Sequence, residues 1–67
     1  MITHQVIFSI ATGDGETIAH KVIDCRSEAD AERLATAFVG TETGNGSILS
    51  AQVFDVATGS ITNEFEF

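Results

Sequence analysis

Chemistry in this chain would have to run through very few side chains: one cysteine, Cys25, two histidines, His4 and His20, and the carboxylate of Asp24 beside the cysteine. Cys25 is followed by Arg26 and by Ser27-Glu28-Ala29-Asp30, where a helix is expected to begin. A helix N-terminus next to a cation lowers a thiol pKa and favours the nucleophilic thiolate. Such a nucleophile also needs a base to take up or return its proton. His4 and His20 fall in the even register of the first hairpin and Cys25 in the odd one, so no base stands in reach and Cys25 reads as a small, semi-buried residue at a strand end. His4, His20 and Asp24 do share a register, with His4 expected across from Asp24, an arrangement that suits a proton relay or part of a metal site. A zinc centre needs further ligands and a supporting second shell, and no other His or Cys is spaced to supply them. The expectation is therefore two hydrogen-bonded structural histidines, His20 lying against Phe8 beneath a helix, with no catalytic residue, no metal and no cofactor.

Gly40, Gly44 and Gly46 invite comparison with phosphate-binding loops, but those loops run from a strand through glycines into a helix N-terminus. Here the glycines follow a helix, lead into a strand and lack an accompanying Lys, so they read as a mobile connection. Glu28, Asp30 and Glu32 complement the dipole of the helix they begin. Glu64 and Glu66 project from one face of the last strand, with Gln52 facing Glu64. Acids on both helix and sheet can imitate the charge spacing of a nucleic-acid backbone and so fill a basic groove on a partner, an idea that charge alone carries.

Hydrophobic periodicity names the elements that position these groups. Ile2, Val6, Phe8 and Ile10 alternate as in a half-buried strand, and a second strand starts at Glu16 after turn-forming residues. A three-residue loop, Gly13-Asp14-Gly15 with Gly15 left-handed, places Ile10 opposite Ile18, Phe8 opposite His20 and Val6 opposite Val22. Ser27 and Asp30 resemble a capping box, Ala31, Leu34, Ala35, Phe38 and Val39 recur at helical spacing, and Gly40 fits a left-handed cap. Two further strands, residues 48–56 and 60–67, are joined at Ala57-Thr58-Gly59, with Leu49 by Phe67, Ala51 by Phe65 and Val53 by Asn63. The predicted fold is α+β: a two-layer ββαββ unit over residues 1–67, a single domain whose four-stranded antiparallel sheet carries one helix packed on one face.

Bulk composition narrows the function. Ten acidic residues stand against Lys21, Arg26 and Arg33, a net charge of −7. Three cations neutralise few phosphates, which argues against direct nucleic-acid binding and against anionic membranes. The start of the chain lacks the basic and apolar regions of a signal peptide, and no run is long enough to span a membrane. One unpaired cysteine fits a reducing compartment, so the expected location is cytoplasmic. A chain of 67 residues buries only about 60% of its unfolded surface, and self-association is a common remedy where disulfides and zinc are absent. A homodimer burying sheet against sheet would supply it.

One helix covers one side of such a sheet and leaves the other free. In the predicted registers Ile7, Ile23, Phe54 and Val56 lie on the free side, more apolar bulk than a solvated face usually carries, with Glu64 and Glu66 beside them. These six are the expected partner-binding residues. In size, acidity and layout, though through no individual residue, the chain is similar to the small inhibitors encoded by phages and mobile elements, which block host defence complexes or nucleic-acid-binding proteins. That likeness implies a viral-type inhibitor acting by occlusion: a non-catalytic, acidic protein-binding module, homodimeric, whose partner is basic or itself binds nucleic acid. Two other readings are a small ligand-binding or enzymatic domain using His4, His20, Asp24 or Cys25, and a structural subunit of a larger assembly.

Overall fold

A computed structural model describes residues 1–13, 18–44 and 46–67. Over these the chain forms an α+β domain with one helix and an antiparallel sheet: β1 (His4–Ala11), β2 (Ile18–Cys25), α1 (Glu28–Phe38), β3 (Glu42–Thr43), β4 (Gly46–Asp55) and β5 (Ser60–Glu66). The order across the sheet is β2-β1-β4, and β3 and β5 lie end to end along the far edge of β4. No helix among the described residues is long and apolar enough to cross a membrane.

The helix starts where the Ser27 Oγ accepts a 3.1 Å hydrogen bond from the Asp30 amide, satisfying one of the orphan donors of the first turn. Ala31 and Ala35, both wholly buried, face the sheet. Their methyl-sized side chains let the helix settle closely over Val6, Phe8 and Ile10 of β1 and Ile48, Ala51 and Val53 of β4, which with Cys25 complete the core. Phe38 meets Phe8 edge to face, ring centroids 6.3 Å apart, an arrangement worth about 0.5–1.5 kcal/mol beyond burial. The Val39 amide then bonds to the Ala35 carbonyl, and Gly40, at φ 83°, turns the chain so that its own amide reaches the Ile48 carbonyl at 2.8 Å.

The expected connection after the helix contains a short strand: β3 pairs Glu42 with Ser47 and Thr43 with Gly46. Gly46 sits at φ 140°, and a Cβ there would run into the backbone carbonyl of Ala11. Only glycine lets β4 start this close to the end of β1. β4 therefore begins two residues earlier than its hydrophobic pattern suggests.

The structure departs from expectation at three ladders: in the registers of the two hairpins, and where the ladder joining the hairpins buries Ile48 in place of Leu49. In the first hairpin the strands part at Ala11 and Ile18, so Val6 faces Ile23 rather than Val22, Phe8 faces Lys21 rather than His20, and His4 faces Cys25 rather than Asp24. The predicted loop through Asp14 and Gly15, the strand start at Glu16 and the placement of Thr17 lie outside the described residues. A one-residue slip exchanges the faces of a whole strand, and register is weakly specified where neither face is buried. β2 is such a strand, with only Cys25 buried and Ile23 partly so. Second, the β1–β4 ladder shifts between Ser9 and Ile10, which turns Ile48 into the core and leaves Leu49 exposed. Third, the β4–β5 ladder shifts between Val53 and Phe54: Ala51–Phe65 and Val53–Asn63 pair as expected, but beyond them Ile61 stands opposite Phe54. The turn that follows is held by the Asp55 carboxylate, which accepts from the amides of Ala57 at 2.9 Å and Thr58 at 3.4 Å, and Gly59 adopts the expected left-handed conformation.

Candidate functional site

The sheet face opposite the helix carries three cross-strand rows, set by the ladders. One runs Val22, Ile7, Gln52, Glu64; the next Asp24, Gln5, Phe54, Ile61; the third His20, Ser9, Ser50, Glu66. Ile7 and Phe54 are diagonal neighbours on the two central strands, close enough for large side chains to meet. An apolar path, Val22–Ile7–Phe54–Ile61, thus crosses β2, β1, β4 and β5 from one edge of the sheet to the other. Val22 is 53% exposed and Ile61 47%, whereas Ile7 and Phe54 are half-buried between their neighbours. Carboxylates flank the path at Glu64, Glu66 and Asp24, the last accepting a 3.0 Å bond from Gln5 Nε2.

Of the six residues expected to bind a partner, Ile7, Phe54, Glu64 and Glu66 lie on this face. Ile23 does not: the true register of β2 turns it to the helix side, where it packs against the core. Val56 has left the strand for the turn, its amide bonded to the Thr3 carbonyl at 3.0 Å and its side chain 45% exposed. Val22 and Ile61 take their places in the path. Sequence reasoning missed both, Val22 through the register of the first hairpin and Ile61 through the shift at Phe54. Apolar residues occur on both registers of β2, a pattern that leaves its facing undecided, whereas Ile61 and Phe65 share one register of β5 and only the ladder shift sends them to opposite faces.

The chemical candidates are dispersed. His4 and Cys25 sit on the helix side, His20 and Asp24 on the open side. The altered register does bring His4 across from Cys25, yet both ring nitrogens of His4 are engaged, Nδ1 with Thr3 Oγ1 at 2.8 Å and Nε2 near Glu28 Oε2 at 3.7 Å. His20 is exposed beside Ser9 rather than packed on Phe8. Cys25 is buried, its thiol directed at the Ile23 carbonyl at 3.9 Å. Burial first, then the negative charges of Asp30 and Asp24, push that thiol above its ordinary pKa. The expected lowering by Arg26 and the helix N-terminus is thereby reversed: withdrawal from water disfavours the thiolate, and nearby carboxylates disfavour it further. Among the described residues no three His, Cys, Asp or Glu side chains gather into a metal-binding group.

A groove of about 440 Å³ opens between β2 and α1, lined by Ile23, Cys25, Arg26, Asp30, Arg33 and Leu34 among others. A smaller hollow of about 240 Å³, bordered by Phe8, Lys21, Ile23 and Phe38, continues along the same side. All three cations of the chain therefore line the β2 side of the helix, where Arg33 pairs with Asp30 at 3.1 Å. Comparison with protein-family models, with curated proteins and with solved structures finds no match to this chain.

Proposed function

We propose that the chain is a non-catalytic protein-binding module that occludes or bridges a partner through the open face of its sheet. The supporting observation is the apolar path Val22–Ile7–Phe54–Ile61, rimmed by Glu64 and Glu66, on a face that no described residue covers. The partner this chemistry fits presents an apolar patch flanked by Lys or Arg, as a basic or nucleic-acid-binding protein could. On this reading the module works in the cytoplasm as a homodimer. Its plan is a two-layer ββαββ unit in which β3 is a short addition to the connection between α1 and β4.

The test is affinity capture from lysate of the native setting, washed at low and then high salt, with two double variants beside the native chain. Replacing Ile7 and Phe54 by Lys is expected to lower recovery of any stoichiometric partner at least tenfold, whereas replacing His4 and His20 by Gln leaves it unchanged. A partner retained at high salt ties binding to the apolar path, and one released by salt ties it to the glutamates. If the Ile7/Phe54 variant captures the partner as well as the native chain does, the open face is not the binding site.

A further inference from the structure

We infer that the free edge of β2 is the surface on which a second copy of this chain pairs, antiparallel and about a two-fold axis at Val22, so that two sheets become one. The inference rests on the homodimer in the reading above and supplies its interface. It also leaves Ile7, Phe54 and Ile61 of each copy open for a partner.

β2 is an edge strand whose outer rim of backbone donors and acceptors meets no other described strand. Such an edge is a template for another strand. Every residue from Ile18 to Val22 is exposed, as is Asp24. Charge and parity then narrow the register. In an antiparallel pair about a two-fold axis perpendicular to the sheet, opposed residues share a face, so one residue must meet its own copy.

Were that residue Lys21, two ammonium groups would face each other, a destabilising pair. Were it Ile23, Val22 would lie against the Asp24 carboxylate of the other copy. With Val22 on the axis, Val22 meets Val22, and His20 of each copy stands across from Asp24 of the other, two complementary pairs made at once. Ile7 lies next to Val22 in its own sheet, so the apolar row runs Ile7–Val22–Val22–Ile7 across the junction. On the helix side Ala19 faces Cys25 and Lys21 faces Ile23, and the two β2–α1 grooves become one trough. Lys21 thus acts as a register selector, excluding the slip that would set it against itself. The opposite edge, β5, carries Glu64 and Glu66, and registers that set either glutamate against a glutamate of a second copy are repulsive.

The experiment is the mass of the native chain in solution, by sedimentation equilibrium or light scattering, with Val22→Lys beside it. The native chain is expected at twice 7.1 kDa. Val22→Lys, with an unchanged far-ultraviolet circular dichroism spectrum, is expected to weaken the dimer at least tenfold. A register test that does not depend on that variant places one cysteine at position 22, 20 or 24 in a Cys25→Ala background. Oxidation should cross-link Val22→Cys to itself, and should cross-link His20→Cys to Asp24→Cys in a mixture while leaving each alone largely without a cross-link. A monomeric native chain at millimolar concentration overturns both the homodimer and its interface. A dimer that survives Val22→Lys, or that cross-links equally at all three positions, keeps the homodimer and removes β2 as its interface. Partner capture, read separately through Ile7 and Phe54, is untouched by either result.

Discussion

β2 and β5 occupy equivalent places, each the outer strand of a hairpin whose inner strand forms the centre of the sheet, yet the molecule treats them differently. β5 is anchored. Phe65 packs against the core, the Asn63 side chain donates to Glu32 Oε1 of the helix at 3.2 Å, and beyond the strand the Phe67 amide bonds to the Leu49 carbonyl while its ring lies against Gly40. β2 is tied in at one end: Ile23 and Cys25 pack into the core under the helix, Ile18 to Val22 are exposed, and a side-chain link to β1 among the described residues is the exposed Gln5–Asp24 bond. Two edge strands of one sheet can therefore differ in where they are fixed, β5 along its second half by Phe65 and Asn63 and β2 at its last residues by Ile23 and Cys25. The strand linked to the helix through Asn63 is also the one whose acids discourage further pairing, and the strand whose first five residues stand exposed is the one left able to pair.

The sharpest way to break the contrast is to truncate one apolar side chain on each edge. Phe65→Ala should cost about 2–3 kcal/mol, less than the roughly 3–5 kcal/mol of a fully buried Phe because Phe65 is only half-buried, whereas Val22→Ala should change stability by less than about 0.5 kcal/mol. Urea unfolding at low protein concentration measures both, and equal losses would erase the distinction. A smaller effect separates the two polar links: Asn63→Ala should cost about 1 kcal/mol by freeing a part-buried bond to the helix, and Gln5→Ala less than half of that because its bond to Asp24 is exposed.

The smallest effect concerns the inward end of β2. The folded Cys25 thiol has a raised pKa, so the unfolded chain loses the proton first as pH rises. Stability from this group is whole below the ordinary thiol value of 9.0 and falls as pH climbs above it. Melting temperatures of the native chain should decline above that pH more steeply than those of Cys25→Ala. Iodoacetamide should label the native thiol more slowly than the thiol in urea, and equal labelling rates would mean that β2 does not hold Cys25 in the interior.

What the sequence disclosed follows the same division. The helix, its Ser27 cap, the Gly40 turn and the Ala51–Phe65 pairing were legible because each rests on a local signal or on a side chain with one place to be buried. The register of β2 was not. Its apolar residues, Ile18, Val22 and Ile23, fall on both faces, and with little packed against the strand the core does not choose between them. The ladder shifts at Ser9 and at Val53 were equally hidden, since an irregularity of one residue leaves no mark on composition. They decide whether Leu49 or Ile48 is buried and whether Ile61 joins the open face. Half of the apolar path, Ile7 and Phe54, could be read because it lies on central strands with one solvent-facing side. The outer half, Val22 and Ile61, could not.

The ladder between β1 and β4 sets His4 beside Asp55 and Ile10 beside Ile48, joining nearly opposite ends of the chain. Contacts so distant along the backbone are slow to form, because the entropy of closing the intervening loop must be lost before any pairing is gained. A lone hairpin closes in about 1–10 μs, so the two hairpins can come and go many times before they meet. Docking β1 on β4 with the helix over the seam is then the step expected to limit folding, and Gly46, where a Cβ would meet the Ala11 carbonyl, is expected to bear on the speed of that step as well as on the stability of its product.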